Sequence, residues 1–164
     1  MDRKHTDPTP PVPSAAAPRT APLAASSSAW QALGSHRIRI VTDLVEWEGI
    51  GPVSVDDIRE YQGLRERVIE RCGYCVALVN AKSAGSISPD ARRFLVEQSR
   101  TRTERRIATA VYGIAGPAHA MAALVIRAMD LLGKRKNQIL ICGDEATARA
   151  WLDNQRGHYR GSST

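Results

Sequence analysis

Residues 75–94, CVALVNAKSAGSISPDARRF, pass from an apolar run through a polar segment into a helix signal. Cys75 to Val79 is apolar without alternation, as expected for a strand buried on both faces. Ser88-Pro89-Asp90 supplies an N-cap residue, a proline at the first helical position and an acid that complements the positive helix end. The intervening Asn80 to Ser88 is therefore expected to be a loop at the carboxyl end of a central strand, where α/β proteins present their chemistry.

Upstream, Ile38 and Ile40 alternate with Arg37 and Arg39, Thr42-Asp43 marks a turn, and Leu44, Val45 and Trp47 form a second run. This predicts an antiparallel hairpin. Gly49-Ile50-Gly51-Pro52 reads as a break, and Ser54 with Asp57 as a capping box opening a helix over about 55–71. Ile58, Tyr61, Leu64, Val68 and Ile69 form its apolar stripe, with Arg59, Glu60, Arg65, Glu66, Arg67 and Glu70 placed away from it. Gly73 ends the helix.

Downstream, the helix after Ser88 carries Arg92, Arg93 and Arg100, and Arg102, Arg105 and Arg106 follow, the densest charge cluster in the chain. Ile107 to Tyr112 predicts a strand, and Gly113 to Pro117 a turn into a third helix ending at Gly133. That helix, with Met121, Leu124, Val125 and Met129, has more apolar surface than one sheet contact needs. The excess is expected against another helix, a ligand cavity or a second copy of the chain. Gln138 to Cys142 predicts the last strand, and a helix beginning near Asp144-Glu145 closes the domain. Strands alternating with helices imply right-handed crossovers. The expected fold is α/β: a mixed, largely parallel sheet starting with an antiparallel hairpin, flanked by about four helices.

Residues 1–34 hold six of the chain's nine prolines and few large apolar residues, and are expected to be a disordered tail before the domain at 35–154. Trp30 could anchor on the core, and residues 155–164 are expected to be a polar, frayed tail. The net charge is +6, but residues 35–154 hold 18 basic and 15 acidic side chains, 18 − 15 = +3, a weak case for nucleic acid. Cys72, Cys75 and Cys142 make neither a disulfide framework nor a metal set. Cys72-Gly-Tyr-Cys75 ends a helix and begins a strand where a redox motif would open a helix, so these are read as small buried residues. No apolar signal segment follows Arg3 and Lys4, and no run suits a membrane span. The expectation is a cytoplasmic protein without metal or cofactor.

The order of elements, with GPVSVDDI after the hairpin, CVALVN entering SISPDARRF, the strand end VYGIAGP and the closing DEATARAWL, resembles the STAS superfamily. That superfamily includes the anti-sigma factor antagonists; the closer resemblance is to a bacterial branch considered alongside CRAL-TRIO-type lipid-binding domains. It covers roughly residues 36–154. It implies regulation through protein contacts without catalysis, and a Ser or Thr at the start of the helix after the central strand that a kinase phosphorylates. The matching region offers Ser83, Ser86 and Ser88. Ser88 is committed as an N-cap, which leaves Ser83 and Ser86 as candidate switch residues.

The expected function is a noncatalytic regulatory module, with a partner face of Asn80, Lys82, Ser83, Ser86, Arg92 and Arg93. Its partner is a protein regulator, a kinase or a second copy. The alternative is a lipid or small apolar ligand bound beneath the third helix, its polar head held by Arg127 or the arginine cluster. An enzyme using Ser83 or Ser86 as nucleophile lacks a base, since neither His36, His119 nor His158 can be placed beside them.

Overall fold

The computed structural model of the chain describes residues 28–101, 106–132 and 138–161. Among these, the strands form one sheet in sequence order: β1 (Gln31–Leu33), β2 (His36–Val41), β3 (Leu44–Val53), β4 (Cys75–Ile87), β5 (Ile107–Tyr112) and β6 (Gln138–Cys142). The helices are α1 (Val55–Cys72), α2 (Pro89–Thr101), α3 (Pro117–Leu132) and α4 (Glu145–Gly161). β1, β2 and β3 pair antiparallel, and β3 to β6 pair parallel. Each parallel step moves one strand over, so crossovers of one hand bring the connecting helices to one face. Accordingly α1 and α2 share a core with Val45, Trp47, Cys75 and Ala77, while α4 packs on the opposite face against Val76, Leu78, Ala108 and Ala110. The mixed sheet, the antiparallel start and the flanking helices are as the sequence pattern predicts.

Local chemistry explains the element ends. Val41 pairs with Leu44 across the two-residue turn, and Thr42 takes a left-handed conformation (φ 55°), a strain that so tight a hairpin imposes on a β-branched residue. At the start of α1 the Asp57 amide donates to Ser54 Oγ at 3.2 Å and the Ser54 amide donates to Asp57 Oδ2 at 2.8 Å, a complete capping box. Gly73 (φ 78°) closes the helix by donating to the Ile69 carbonyl at 2.7 Å.

Four expectations need correction. The polar segment after Val79 is not a loop: β4 continues to Ile87, with Ile50, Gly51 and Val53 of β3 opposite Ser83, Ala84 and Ile87. β3 likewise runs through Gly49 to Val53. Two glycines permit this long pairing: a Cβ on Gly49 would lie 2.9 Å from Ala84 Cβ, and one on Gly85 would lie 2.9 Å from the Gly51 carbonyl carbon. Gly85→Ala is thus expected to cost about 1–3 kcal/mol by pushing the backbones apart, read as a lower urea midpoint at unchanged slope.

The second correction concerns the domain's ends. Gln31 to Leu33 form β1, with Leu33 buried, although they were expected in the tail, while residues 1–27 lie outside the described residues. Third, α4 continues to Gly161 and buries Tyr159, where a frayed tail was expected. Fourth, Arg65 does not sit on the solvent face of α1 but is only 8% exposed. Arg102 and Arg105 of the arginine cluster fall outside the described residues.

Candidate functional site

The two edges of the long β3–β4 pair divide the expected partner face. Asn80 and Lys82 turn toward the α4 side of the sheet: the Asn80 carboxamide accepts from the Lys82 amide at 3.1 Å, and the Lys82 ammonium stands 5.8 Å from the Tyr112 ring centroid. Ser83 and Ser86 are exposed on the outer half of β4. Ser88 instead starts α2, its Oγ accepting from the Ala91 amide at 3.1 Å, so neither switch candidate sits at the helix amino end.

Arg92 and Arg93 lie on the other side with α3. Arg92 Nη1 points to Met121 Sδ at 3.2 Å, and Arg93 Nη1 pairs with Asp90 at 3.4 Å. α3 packs on α2 and approaches the sheet less closely than α1 and α4 do. Its outer face is left apolar and open: Met121 is 44% exposed, Leu124 61% and Leu131 74%. Val125 is half-buried toward the protein, and the side chain of Met129 lies outside the described residues. His119, at the start of α3, is exposed.

The sequence reading missed a cleft of about 330 Å³ on the α4 side, lined by Trp30, Arg37, Arg39, Glu46, Trp47, Glu48, Leu78, Asn80, Tyr112, Glu145 and Arg149. α4 covers β4 to β6 there but leaves β2 and β3 open. The open strands carry charge in register. Arg37 opposes Glu48 and Arg39 opposes Glu46, and both pairs close as ion pairs. The buried Glu46 also accepts from Arg149 Nη2 at 2.5 Å. Arg149 in turn donates through Nε to Glu145 at 2.7 Å, and Tyr112 donates to Glu145 at 3.0 Å.

Arg149 holds the Glu145 carboxyl below its ordinary range, with Tyr112 adding to the effect. Burial, helped by the bond to Glu145, pushes the Tyr112 hydroxyl up to about 12. Trp30 roofs the cleft, its ring centroid 5.2 Å from the Arg37 guanidinium and 4.7 Å from that of Arg39. Each carboxylate of the cleft is thus held by an arginine, which suits a rigid recognition surface more than proton transfer. The available signal was the mirrored Arg-x-Arg and Glu-x-Glu on either side of a two-residue turn, which registers opposite charges across the hairpin.

The cysteines form no cluster with histidines or acids, and among the described residues no group of metal-ligating side chains comes together. Cys75 is fully buried, and burial pushes its thiol up to about 12. No helix among the described residues is long and apolar enough to cross a membrane.

The chain is similar to a solved structure of an uncharacterised protein of the DUF3478 family from Shewanella loihica PV-4, described as having a SpoIIAA-like fold. The likeness covers 79% of this chain and 99% of that one, with 17% sequence identity and a TM-score of 0.48. No family model and no curated protein matches the chain.

Proposed function

We propose that the chain is a noncatalytic regulatory interaction module of the STAS type, acting in the cytoplasm of a bacterium. Its partner surface is the outer face of α3 together with Arg92 and Arg93 of α2. The observation that carries this reading is the apolar face of Met121, Leu124 and Leu131, open to solvent beside the arginines. An apolar patch rimmed by fixed positive charge is the usual composition of a protein contact. The ion-paired carboxylates of the cleft on the opposite face add support, because they offer no free acid or base there. Exposed hydroxyls at Ser83 and Ser86 keep the switch within the proposal: a phosphate adds about −1.5 to −2 charges, on the strand that leads into α2.

The test is affinity purification from the native host with intact-mass analysis, alongside light scattering of the purified chain. Wild type is expected to retain a stoichiometric protein or to self-associate. Leu124→Asp and the pair Arg92→Glu with Arg93→Glu are expected to weaken that association about tenfold or more, with circular dichroism unchanged. Ser83→Asp with Ser86→Asp reports on the switch. Undiminished association in the α3 and arginine variants sinks the surface, and undiminished association in the serine variant alone sinks only the switch.

A further inference from the structure

His36 is 1% exposed and meets a different neighbour at each ring nitrogen. Nδ1 accepts from the Ile50 amide at 3.0 Å. A nitrogen that accepts carries no proton, so the neutral ring has its proton on Nε2. Nε2 stands 3.4 Å from Asp57 Oδ2 of α1 without forming a hydrogen bond there. That oxygen already accepts from the Ser54 amide at 2.8 Å and the Ser54 hydroxyl at 2.6 Å. Burial pushes the Asp57 carboxyl up, but the bonds from Ser54 outweigh it and hold the group below its ordinary value, ionised.

Asp57 is the charge that faces the ring. Residues 31–35, the β1 strand and the turn after it, hold no ionisable side chain. Arg37, Arg39, Glu46 and Glu48 line the cleft on the other face of the sheet. From β3 the Trp47 ring meets the imidazole edge-on at 5.2 Å, and Tyr61 beyond it, pushed by burial up to about 12, stays neutral.

The Ile50 bond sits where backbone pairing gives out. The β2–β3 register ends at Arg37 opposite Glu48, and the β4–β5 register at Asn80 opposite Tyr112. Past these points β3 and β4 continue as a two-stranded ribbon, with Ile50 opposite Ser83 and Val53 opposite Ile87. The hairpin holds this ribbon through side chains: His36 takes the Ile50 amide, and the Ser35 hydroxyl donates to the Ile50 carbonyl at 3.0 Å. Protonation turns Nδ1 into a donor and sets it against the Ile50 N–H, while the new charge is drawn to the Asp57 carboxylate. The neutral ring thus favours the ribbon, and the cation favours α1.

We infer that His36 is a proton-operated latch, which fastens the outer β3–β4 ribbon to the hairpin when neutral and releases Ile50 to pair with Asp57 when protonated. Acidification from about pH 8 to about pH 5, the range in which histidines change charge, loosens the ribbon that presents Ser83 and Ser86. The inner half of β4 stays in place, since Val76 to Val79 pair with strands on both sides. The latch does not rest on the partner surface of α3.

The experiment is nuclear magnetic resonance of the full chain, reading the ring nitrogens of His36 and amide exchange corrected for its intrinsic pH dependence. At about pH 8 the ring is expected to be neutral, with Nδ1 bare and the proton on Nε2. Towards about pH 5 protection at the Ile50 amide and at the amides of 83–87 is expected to fall about tenfold, the worth of one hydrogen bond, while Val76 and Ala77 keep theirs. His36→Gln retains an acceptor for Ile50 but does not titrate, and its protection is expected to be independent of pH. Asp57→Asn removes the counter-charge and is expected to move the fall to lower pH. His119→Gln, at an exposed position, is expected to behave as wild type. Four results overturn the inference: a ring protonated on Nδ1 at about pH 8, constant protection in wild type, an equal fall in His36→Gln, or an unmoved fall in Asp57→Asn. If His36→Gln does not fold, the ring nitrogens and the exchange profile of wild type decide alone.

Discussion

A chain ended after Asn154 will lose at least about 4 kcal/mol of stability, enough to leave many domains of this size unfolded. The deleted segment holds Tyr159, only 8% exposed, with its ring 5.5 Å from that of Tyr74 and its hydroxyl donating to Gln138. Truncating a buried aromatic alone costs about 3–5 kcal/mol. The same segment carries Arg156 and Arg160, whose guanidinium groups lie 2.8 and 3.6 Å from the buried Asp43 carboxylate at the β2–β3 turn. Without them Asp43 keeps the Tyr74 hydroxyl, at 2.5 Å, and loses both of its cations. Burial pushes the Asp43 carboxyl up, but the bonds from Arg156 and Tyr74 outweigh it and hold the group below its ordinary 3.8. A carboxyl lowered on folding contributes stability that is complete above its unfolded value and is lost as pH falls through the folded one. Urea unfolding followed by circular dichroism checks both parts. Tyr159→Ala is expected to cost about 3 kcal/mol, and Arg156→Gln to flatten the loss of stability below about pH 4. A truncated chain as stable as the whole would mean that α4 holds through Ala148 and Leu152 alone.

That segment shows where legibility ended. The helical face of α4 is carried by Ala148, Leu152 and Tyr159, the last two spaced by two turns, and the polar residues between them hid the repeat. The partner of Arg156 and Arg160 lies more than a hundred residues earlier, at Asp43, and no local pattern exposes such a pairing. Signals that are local did read correctly. The Ser54–Asp57 box, the Gly73 stop, the two-residue hairpin and the unbroken apolar run from Cys75 to Val79 each need only neighbours along the chain, and together they give the mixed sheet and its helices. The outer half of β4 was misread because its strand pairing is set by backbone hydrogen bonds and by the close approach that Gly49 and Gly85 permit. Its polar side chains carry no apolar alternation. Arg65 was misplaced for a related reason: helical spacing puts it one turn from Tyr61, on the face the apolar stripe had claimed, and charge was taken as exposure. The residues expected as one partner face do not lie together, since the β3–β4 pair sends Asn80 and Lys82 to one side and α2 carries Arg92 and Arg93 to the other.

Glu46→Leu is expected to cost about 2–3 kcal/mol and to loosen the cleft. The Glu46 side chain is 4% exposed and takes bonds from both Arg39 and Arg149, so it ties the hairpin to α4 across the sheet. Removing one member of a buried pair costs about 3–5 kcal/mol because a buried charge is left behind. Here the two arginines keep 31% and 40% exposure and can turn to water, which sets the cost below that range. Glu145→Gln provides the comparison, since its side chain is 47% exposed and its removal leaves Arg149 on Glu46; less than about 1 kcal/mol is expected. Thermal melts and hydrogen exchange at the amides of β2 and early α4 separate the two variants. Glu46→Leu should speed exchange at both ends of the bridge, and Glu145→Gln only at the start of α4. If Glu46→Leu leaves exchange at α4 unchanged, the helix is positioned by its apolar face alone, and the charged floor of the cleft is then free to serve a bound partner.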